Sequence, residues 1–217
     1  MNNKQDNNIP EEILAGVLAG LPVGLANLQL PDNNLRDYYR DEADRIIWLD
    51  DKVDDYTTKV MDRILRYNYE DKNLPIEERK PIKIFLDTPG GSVIVMWSIV
   101  NAIRLSKTPV WTINWCTAYS AGAIILAAGH KRFAMPGSTA LVHSGSCYYS
   151  GNQEQVDNAK KFFDKIGKEA DDFLLSRTKI DKKTFNKKKA SDWYFSTQEC
   201  LESGLVDKIV ESFDEIL

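Results

Sequence analysis

The stretch that decides the fold is Trp115–Gly129, with the sequence WCTAYSAGAIILAAG. An apolar, β-like run from Val110 leads into it, and a run of small, helix-forming residues leaves it. Ser120 lies at the junction, beside the free N–H groups and the positive dipole end of the predicted helix. A hydroxyl in this place suits a nucleophile next to an oxyanion site, but serine is also a common helix N-cap. The junction alone therefore leaves both interpretations open.

Strand and helix signals alternate on both sides of this stretch. Short apolar runs such as Ile82–Leu86 predict buried strands, and apolar residues at helical spacing follow them. This alternation is typical of a parallel sheet with right-handed crossovers, so the sequence predicts an α/β fold. Other predicted strands are 45–49, 132–134, 139–142 and 206–210, and predicted helices are about 55–69, 93–103, 153–178 and 196–203, with a short basic helix around Phe185. The pattern assigns no structure to residues 35–45.

Composition excludes several classes of protein. The 217 residues carry a net charge of −4, which gives no basic field for nucleic acid or an anionic membrane. Three widely spaced cysteines and two histidines argue against a disulfide framework and a zinc site. Such cysteine usage fits a reducing, cytoplasmic compartment. The mildly apolar segment 13–30 follows two glutamates and is interrupted by Pro22, so we predict neither a signal peptide nor a membrane span there.

A catalytic triad built on Ser120 has only one possible order. Both histidines, His130 and His143, follow the serine, and residues 121–142 contain no acid. These facts exclude the triad orders of chymotrypsin, subtilisin and the α/β-hydrolases, and they leave the order serine, histidine, acid. His143 is the better base because it ends a predicted strand, whereas His130 lies in a polar turn and is expected to be solvated. The alternative for His143 is a structural histidine.

Several aspartates follow His143, and one of them differs from the rest. Asp157, Asp164 and their neighbours lie along the predicted long helix, where charged residues usually form a solvated face. Asp192 lies in a non-helical junction before Trp193–Phe195, so we expect it to be partly buried. A buried carboxylate suits the task of orienting an imidazole and stabilising its charged form. A turn or helix-cap role is the alternative for Asp192.

A glycine turn provides the second part of the chemistry. Gly90 and Gly91 follow a predicted strand, and glycine allows a backbone N–H to approach a ligand closely. Acyl transfer to serine needs two donors at the oxyanion, and the N–H groups of Gly91 and Ala121 would lie at the same end of adjacent parallel strands. Alone, Pro-Gly-Gly is equally compatible with a plain turn.

Several short segments, each weak evidence alone, form a specific set when taken in order. They are Asp87–Val93 (DTPGGSV), Ala118–Ala123 (AYSAGA), Leu126–Gly129 (LAAG), Lys131–Pro136 (KRFAMP), Val142-His143, Asp192 with Phe195-Ser196, and Glu202–Asp207 (ESGLVD). In order and spacing, from about Arg45 to the C-terminus, this set resembles the Clp protease proteolytic subunit family. The resemblance implies that Ser120 is the nucleophile, His143 the base and Asp192 its orienting acid. It also implies an oxyanion hole formed by Gly91 and Ala121.

The resemblance further implies the ClpP/crotonase-like ββα superhelix with a protruding handle helix. It implies a serine endopeptidase that cleaves unfolded proteins or peptides inside a homo-oligomer of two stacked heptameric rings. An AAA+ unfoldase of the Clp type would feed the chamber and would alone use ATP, so no metal or organic cofactor is expected. Residues 45–217 would form the peptidase domain, and residues 1–44 a divergent N-terminal segment that is partly disordered or lies between subunits.

The sequence departs from the family pattern close to the proposed nucleophile and base. Cys116 replaces a glycine, Tyr119 replaces the second alanine of Ala-Ala-Ser, and Ser144-Gly145 replaces Gln-Pro after the histidine. These departures keep a second hypothesis open, a non-catalytic ring subunit that modulates an active paralogue. A crotonase-like acyl-CoA enzyme is a third hypothesis, but that chemistry has no use for a Ser-His-Asp set.

Overall fold

Strands and helices alternate along residues 33–217, the part of the chain that the computed structural model describes, with side chains from residue 39 onward. The strands are β1 (Ile46–Leu49), β2 (Ile82–Thr88), β3 (Val110–Tyr119), β4 (Lys131–Ala134), β5 (Thr139–Val142), β6 (Trp193–Phe195) and β7 (Lys208–Ile209). The helices are α1 (Asn33–Asp44), α2 (Lys59–Glu70), α3 (Val93–Leu105), α4 (Ala121–Ala128), α5 (Gln153–Arg177), α6 (Lys182–Lys188) and α7 (Thr197–Glu202). The predicted α/β class, a mostly parallel sheet with helices, is confirmed.

Strand β3 connects the two parts of the sheet. The strand order is β1-β2-β3-β4-β7, and all of these pairs are parallel. The first half of β3 pairs with β4, while its last residues pair with β5, which in turn pairs antiparallel with β6. Because Tyr119 lies opposite Leu141 in this register, the residues that follow β3 and β5 leave the sheet side by side.

Helix α4 is buried along its whole length, which explains its small residues. All 8 residues of Ala121–Ala128 belong to the core between the sheet and its helices. A methyl group on Gly122 would lie 2.6 Å from Thr88 Cγ2, so only glycine allows this close approach to the end of β2. The helix that follows Ser120 is therefore held firmly against the sheet.

A second, smaller cluster of buried side chains carries an exposed aromatic surface. Phe85 is buried in this cluster, and Trp48 stacks on it with ring centroids 4.7 Å apart. Trp115 contacts both rings and also stacks on Phe213. Trp48, Trp115 and Phe213 remain 41%, 36% and 54% exposed, which is high for such large apolar side chains. These four residues are called the aromatic surface below.

The structure differs from the sequence prediction at several element boundaries. Helix α1 (Asn33–Asp44) covers most of residues 35–45, to which the pattern assigned nothing, and β3 runs on from Trp115 to Tyr119. The short strand β6 was not predicted, and β7 is confined to Lys208–Ile209. The prediction for segment 13–30 and most of the divergent N-terminal segment lie outside the described residues. The domain boundary at residues 44 and 45 stays a prediction.

A buried ion pair ties the start of β1 to the end of α2. Arg45 has a left-handed φ of 55°, and its guanidinium donates two hydrogen bonds to Asp71, of 2.6 and 2.7 Å. Thr108 also donates to this carboxylate, at 2.9 Å, and the Asp71 side chain is only 2% exposed. These hydrogen bonds, chiefly those from Arg45, lower the pKa of Asp71 below its ordinary value. Folding therefore favours the ionised carboxylate.

Replacing Asp71 with asparagine is expected to lower the free energy of unfolding by about 3 kcal/mol at pH 7, because Arg45 loses its buried partner. The folded-state pKa of Asp71 is depressed, so this contribution is present above the ordinary aspartate value of about 3.9 and is lost as the pH falls through the lower folded value. Urea unfolding from pH 7 to pH 3 measures the difference. Asp50→Asn, at an exposed position, is the control, and equal stability of the two variants would contradict the prediction.

Candidate active site

Ser120 occupies the helix N-cap position without acting as a cap. Its backbone is strained, with φ 55° and ψ −117°, and its side chain makes no capping hydrogen bond to α4. Its N–H donates to the Leu141 carbonyl at 2.8 Å, and its own carbonyl accepts from Ala123 at 3.0 Å, which holds the turn. Ser120 Oγ lies 2.8 Å from His143 Nε2. The hydroxyl is thus directed at an imidazole, and the N-cap interpretation is wrong.

His143 lies between the serine and an acid. It follows the last residue of β5, as predicted, and its ring is half-buried. Its second ring nitrogen, Nδ1, lies 3.2 Å from Asp192 Oδ1. The structure therefore brings together Ser120, His143 and Asp192, in the order that the sequence allowed. A serine–imidazole–carboxylate line of this kind can move a proton from the hydroxyl to Nε2 while the carboxylate stabilises the imidazolium.

Asp192 is more exposed than predicted. Its side chain is 57% exposed, so the expectation of partial burial beside the aromatic residues was wrong. The reason is topological: within the described sheet β6 pairs only with β5, and Asp192 lies just before this edge strand. Of the aromatic neighbours, Phe195 points into the core, whereas Tyr194 is exposed.

His130 lies at the opposite end of β3 from Ser120. Its Nδ1 accepts a hydrogen bond from the N–H of Val110, the first residue of the strand, at 3.0 Å. A strand rises about 3.3 Å per residue, so the length of β3 separates this histidine from Ser120. Partial desolvation, with the nearby charge of Arg177, lowers the pKa of His130. The ring is exposed, as expected, but it is fixed by the Val110 bond and has no part in the site.

The glycine turn packs directly against Ser120. A methyl group on Gly90 would lie 2.5 Å from the Tyr119 carbonyl oxygen, 2.8 Å from Ser120 Cβ and 3.0 Å from the Ala121 nitrogen. Gly91, with φ +153°, follows at once. Neither the N–H of Gly91 nor that of Ala121 donates a hydrogen bond to a described residue. Within the described residues both N–H groups are therefore unpaired, and the two turns that carry them meet at Ser120 through Gly90.

Val53 fixes this turn, and the sequence analysis missed it. Its N–H donates to Gly90 O at 2.9 Å, and its carbonyl accepts from Ser92 N–H at 2.7 Å, so that it forms a parallel bridge with Gly91. Val53 is fully buried. The available signal was a lone valine inside the segment 50–55, whose other residues are polar and typical of a turn.

Tyr119 does not obstruct the contact between Ser120 and His143. Its hydroxyl lies 2.9 Å from Thr139 Oγ1, and Thr139 pairs with Thr117 rather than with the end of the strand. The ring therefore lies back along the sheet, away from the serine, with its edge against Tyr194. The large side chain that distinguishes this chain from the family pattern is accommodated beside the site.

The described residues were also searched for a metal site, a reactive cysteine and a membrane-spanning helix. Residues 33–217 contain no group of three or more histidine, cysteine or acidic side chains placed to hold a metal ion. Cys116 and Cys147 are exposed, and burial raises the pKa of the Cys200 thiol to about 12. Within the same residues, no helix is both long and apolar enough to cross a membrane.

Comparisons with known proteins identify the family. The family model described as Clp protease matches residues 33–213. The ATP-dependent Clp protease proteolytic subunit of Porphyromonas gingivalis is 31% identical over 170 residues, which cover 77% of this chain and 74% of that protein. Subunit 2 of the same name from Treponema denticola is 32% identical over 139 residues, 63% of this chain and 70% of that protein. Subunit 1 from Streptomyces avermitilis is 27% identical over 177 residues, 80% of this chain and 79% of that protein.

The fold, the turn between β3 and α4, and the residues matched by the family model together indicate one family. The family match spans β1 to β7, including the glycine turn and the serine–histidine contact. The chain belongs to the Clp protease family.

Proposed function

We propose that this protein is a serine endopeptidase in which Ser120, His143 and Asp192 form the catalytic triad. The contact of 2.8 Å between Ser120 Oγ and His143 Nε2 carries the proposal. It occurs at a strained turn, where the hydroxyl has no structural hydrogen bond to make. Strain of about 1–3 kcal/mol persists only where the surrounding structure holds it, and such residues cluster at active sites.

The reaction follows from this arrangement in two halves. His143 Nε2 takes the proton of Ser120 as Oγ attacks the peptide carbonyl, and the N–H groups of Gly91 and Ala121 stabilise the oxyanion. The imidazolium then gives its proton to the leaving amine, which leaves an acyl-serine. In the second half a water molecule attacks the acyl group and His143 takes its proton, then gives it to Ser120 Oγ as the ester bond breaks, which frees the serine hydroxyl and the carboxylic acid product. Asp192 stabilises the imidazolium in both halves.

The substrate is an extended segment of an unfolded protein or peptide. The glycine turn supports this, because Val53 bridges Gly91 in a parallel pairing and the backbone there already has strand-like hydrogen bonding. An extended peptide added beside this turn would place its carbonyl between the two free N–H groups. Backbone recognition of this kind suits many sequences.

The handle helix α5 supports an oligomeric assembly. Of its residues Gln153–Arg177, only Ala170 and Leu174 are buried, both near its C-terminal end. Phe162 is 54% exposed and packs on the neighbouring Phe163. Exposed aromatic residues on a long helix fit contact with a second copy of the chain. We infer two stacked heptameric rings joined through these helices, with the active sites inside the chamber.

The chain is further proposed to work with an AAA+ unfoldase of the Clp type. Its relatives bear the name ATP-dependent Clp protease proteolytic subunit, which associates ATP use with the protease. The aromatic surface offers an exposed apolar area of the kind that protein partners cover. In this proposal ATP is used only by the partner, the peptidase needs no cofactor, and the complex is cytoplasmic.

A non-catalytic ring subunit remains the second candidate. The 57% exposure of Asp192 favours it, because a solvated carboxylate stabilises an imidazolium less strongly. The formed contact between Ser120 and His143 favours catalysis.

Labelling with a fluorophosphonate separates the two candidates. We expect the purified full chain, with its oligomeric state established by native mass spectrometry, to be labelled at Ser120 and to hydrolyse a fluorogenic peptide. The peptide that carries the label is identified by mass spectrometry. Label on another residue, or none on the intact oligomer, would contradict the endopeptidase assignment and favour the non-catalytic subunit.

A further inference from the structure

The segments that carry His143 and Asp192 are held together on both sides of the two residues. On the sheet side, Val142 of β5 pairs with Trp193 of β6 in the antiparallel ladder. Beyond the ladder, Ser144 donates two hydrogen bonds to the carbonyl oxygen of Lys189, from its N–H at 2.8 Å and from its hydroxyl at 2.9 Å. His143 and Asp192 therefore lie between a ladder pair and this second link.

The acceptor of that link is itself fixed. Lys189 is the C-cap of α6, and its N–H donates to the Phe185 carbonyl at 2.9 Å, with Phe185 buried in the core. The Lys189 ammonium group donates to the carboxylate of Asp171 on the handle helix, and both side chains are about three-quarters buried. The chain of contacts runs from the handle helix through Lys189 to Ser144, the neighbour of the base.

The residue after Ser144 takes a backbone conformation that proline cannot adopt. Gly145 has φ +72°, whereas the proline ring fixes φ near −65°. A rigid residue after the base is thus absent from this chain, and the hydrogen bonds of Ser144 hold this position instead.

We propose that Ser144 is a positioning residue that holds His143 opposite Asp192, and that the Asp171–Lys189 ion pair anchors it to the handle helix. The inference rests on the proposed peptidase function. An imidazole that drifts from its carboxylate or from the serine still allows a peptide to bind, but proton transfer becomes rarer. Ser144 and the Asp171–Lys189 ion pair therefore affect the rate of the chemical step rather than the binding of the peptide.

Kinetics of the full-length oligomer with a fluorogenic peptide test this proposal. Ser144→Ala removes the hydroxyl bond and is expected to lower kcat about threefold to tenfold, the range that corresponds to one lost hydrogen bond. KM is expected to stay within about twofold. Ser144→Thr keeps the hydroxyl and is expected to restore kcat to within about twofold of the original protein. Ser150→Ala, in the same exposed loop, is the control and should leave kcat unchanged.

A second pair of variants tests the anchor on the handle helix. Lys189→Met is expected to lower kcat by a similar factor, again with little change in KM. Lys182→Met is the matched control, because Lys182 makes an exposed ion pair between the same two helices, 3.7 Å from Asp172. Native mass spectrometry of each variant establishes that the oligomer is intact.

The two proposals fail in different ways. If the original protein hydrolyses the peptide and is labelled at Ser120, but Ser144→Ala has unchanged kcat, the positioning role is wrong while the peptidase assignment stands. The positioning role would also be wrong if Ser144→Thr lost as much kcat as Ser144→Ala, or if Ser144→Ala changed KM alone. If the original protein neither hydrolyses peptide nor reacts with the fluorophosphonate, the peptidase assignment itself fails.

Discussion

Replacing Ser120 with alanine is expected to lower peptide hydrolysis at least about 10³-fold and to leave the fold intact. The loss is large because the triad acts as a unit, so removal of the nucleophile removes nearly all of its contribution. The fold should survive because the hydroxyl caps no helix and makes its one described hydrogen bond to His143. The free energy of unfolding should therefore change by no more than about 1 kcal/mol.

The measurement combines peptidase rates with urea unfolding and native mass spectrometry. Ser98→Ala is a suitable control, since it also loses one weak side-chain hydrogen bond, of 3.3 Å to Ile94 O, but on helix α3. It should retain full activity. Residual activity of Ser120→Ala above about one-tenth of the original rate would show that another residue is the nucleophile.

Much of the fold could be predicted from the sequence because the central strands are buried and several helices are amphipathic. Ile82–Leu86 and Val110–Trp115 are rich in large apolar residues, and the structure confirms both as central parallel strands. The end of β3 was missed because Cys116, which is exposed, and Thr117, which is half-buried, interrupt the apolar pattern where the register with β2 shifts. Periodicity reports burial, so it fails where a strand leaves the core.

The site could be predicted in part, and for a different reason. Chain order alone reduced the possible triads to serine, histidine, acid, because the chain has two histidines and no acid at 121–142. The exposure of Asp192 could not be predicted because it depends on which strand lies at the edge of the sheet. The lone valine at position 53 was a signal of burial, but the sequence did not show which turn it would bridge. The aromatic residues next to Asp192 in the sequence do not bury it, and Val53 contacts a turn that is distant from it in the sequence.

Two residues with a positive φ lie in neighbouring turns at this corner of the fold. Ser120 has φ 55° and Gly91 has φ +153°, and the turns that contain them are in direct contact through Gly90. Each is held by backbone hydrogen bonds to a separate element, Leu141 of β5 for the serine and Val53 for the glycine turn. The position of the N–H of Gly91 relative to Ser120 is thus set by main-chain contacts, which side-chain flexibility cannot adjust.

Replacing Gly91 with alanine should therefore lower kcat about 10²-fold to 10³-fold, the usual cost of losing one oxyanion donor. The added methyl group would lie 2.3 Å from Val53 O and 3.0 Å from Val53 N and C, all backbone atoms that cannot rotate aside. The turn has to move, and the N–H of Gly91 moves with it. Peptide hydrolysis and the rate of fluorophosphonate labelling should both fall, since in each reaction the oxygen that gains negative charge, carbonyl or phosphoryl, would bind the same N–H groups.

Gly137→Ala separates this effect from backbone strain in general. Gly137 has φ +82°, and a methyl group there would meet no atom within 4 Å. The control variant should lose about 1 kcal/mol of stability, the cost of a left-handed residue with a side chain, and should keep its kcat. If Gly91→Ala kept full activity while its stability fell like that of Gly137→Ala, the second oxyanion donor would have to be a group other than Gly91. If both variants lost activity equally, strain rather than the position of the Gly91 N–H would be the cause.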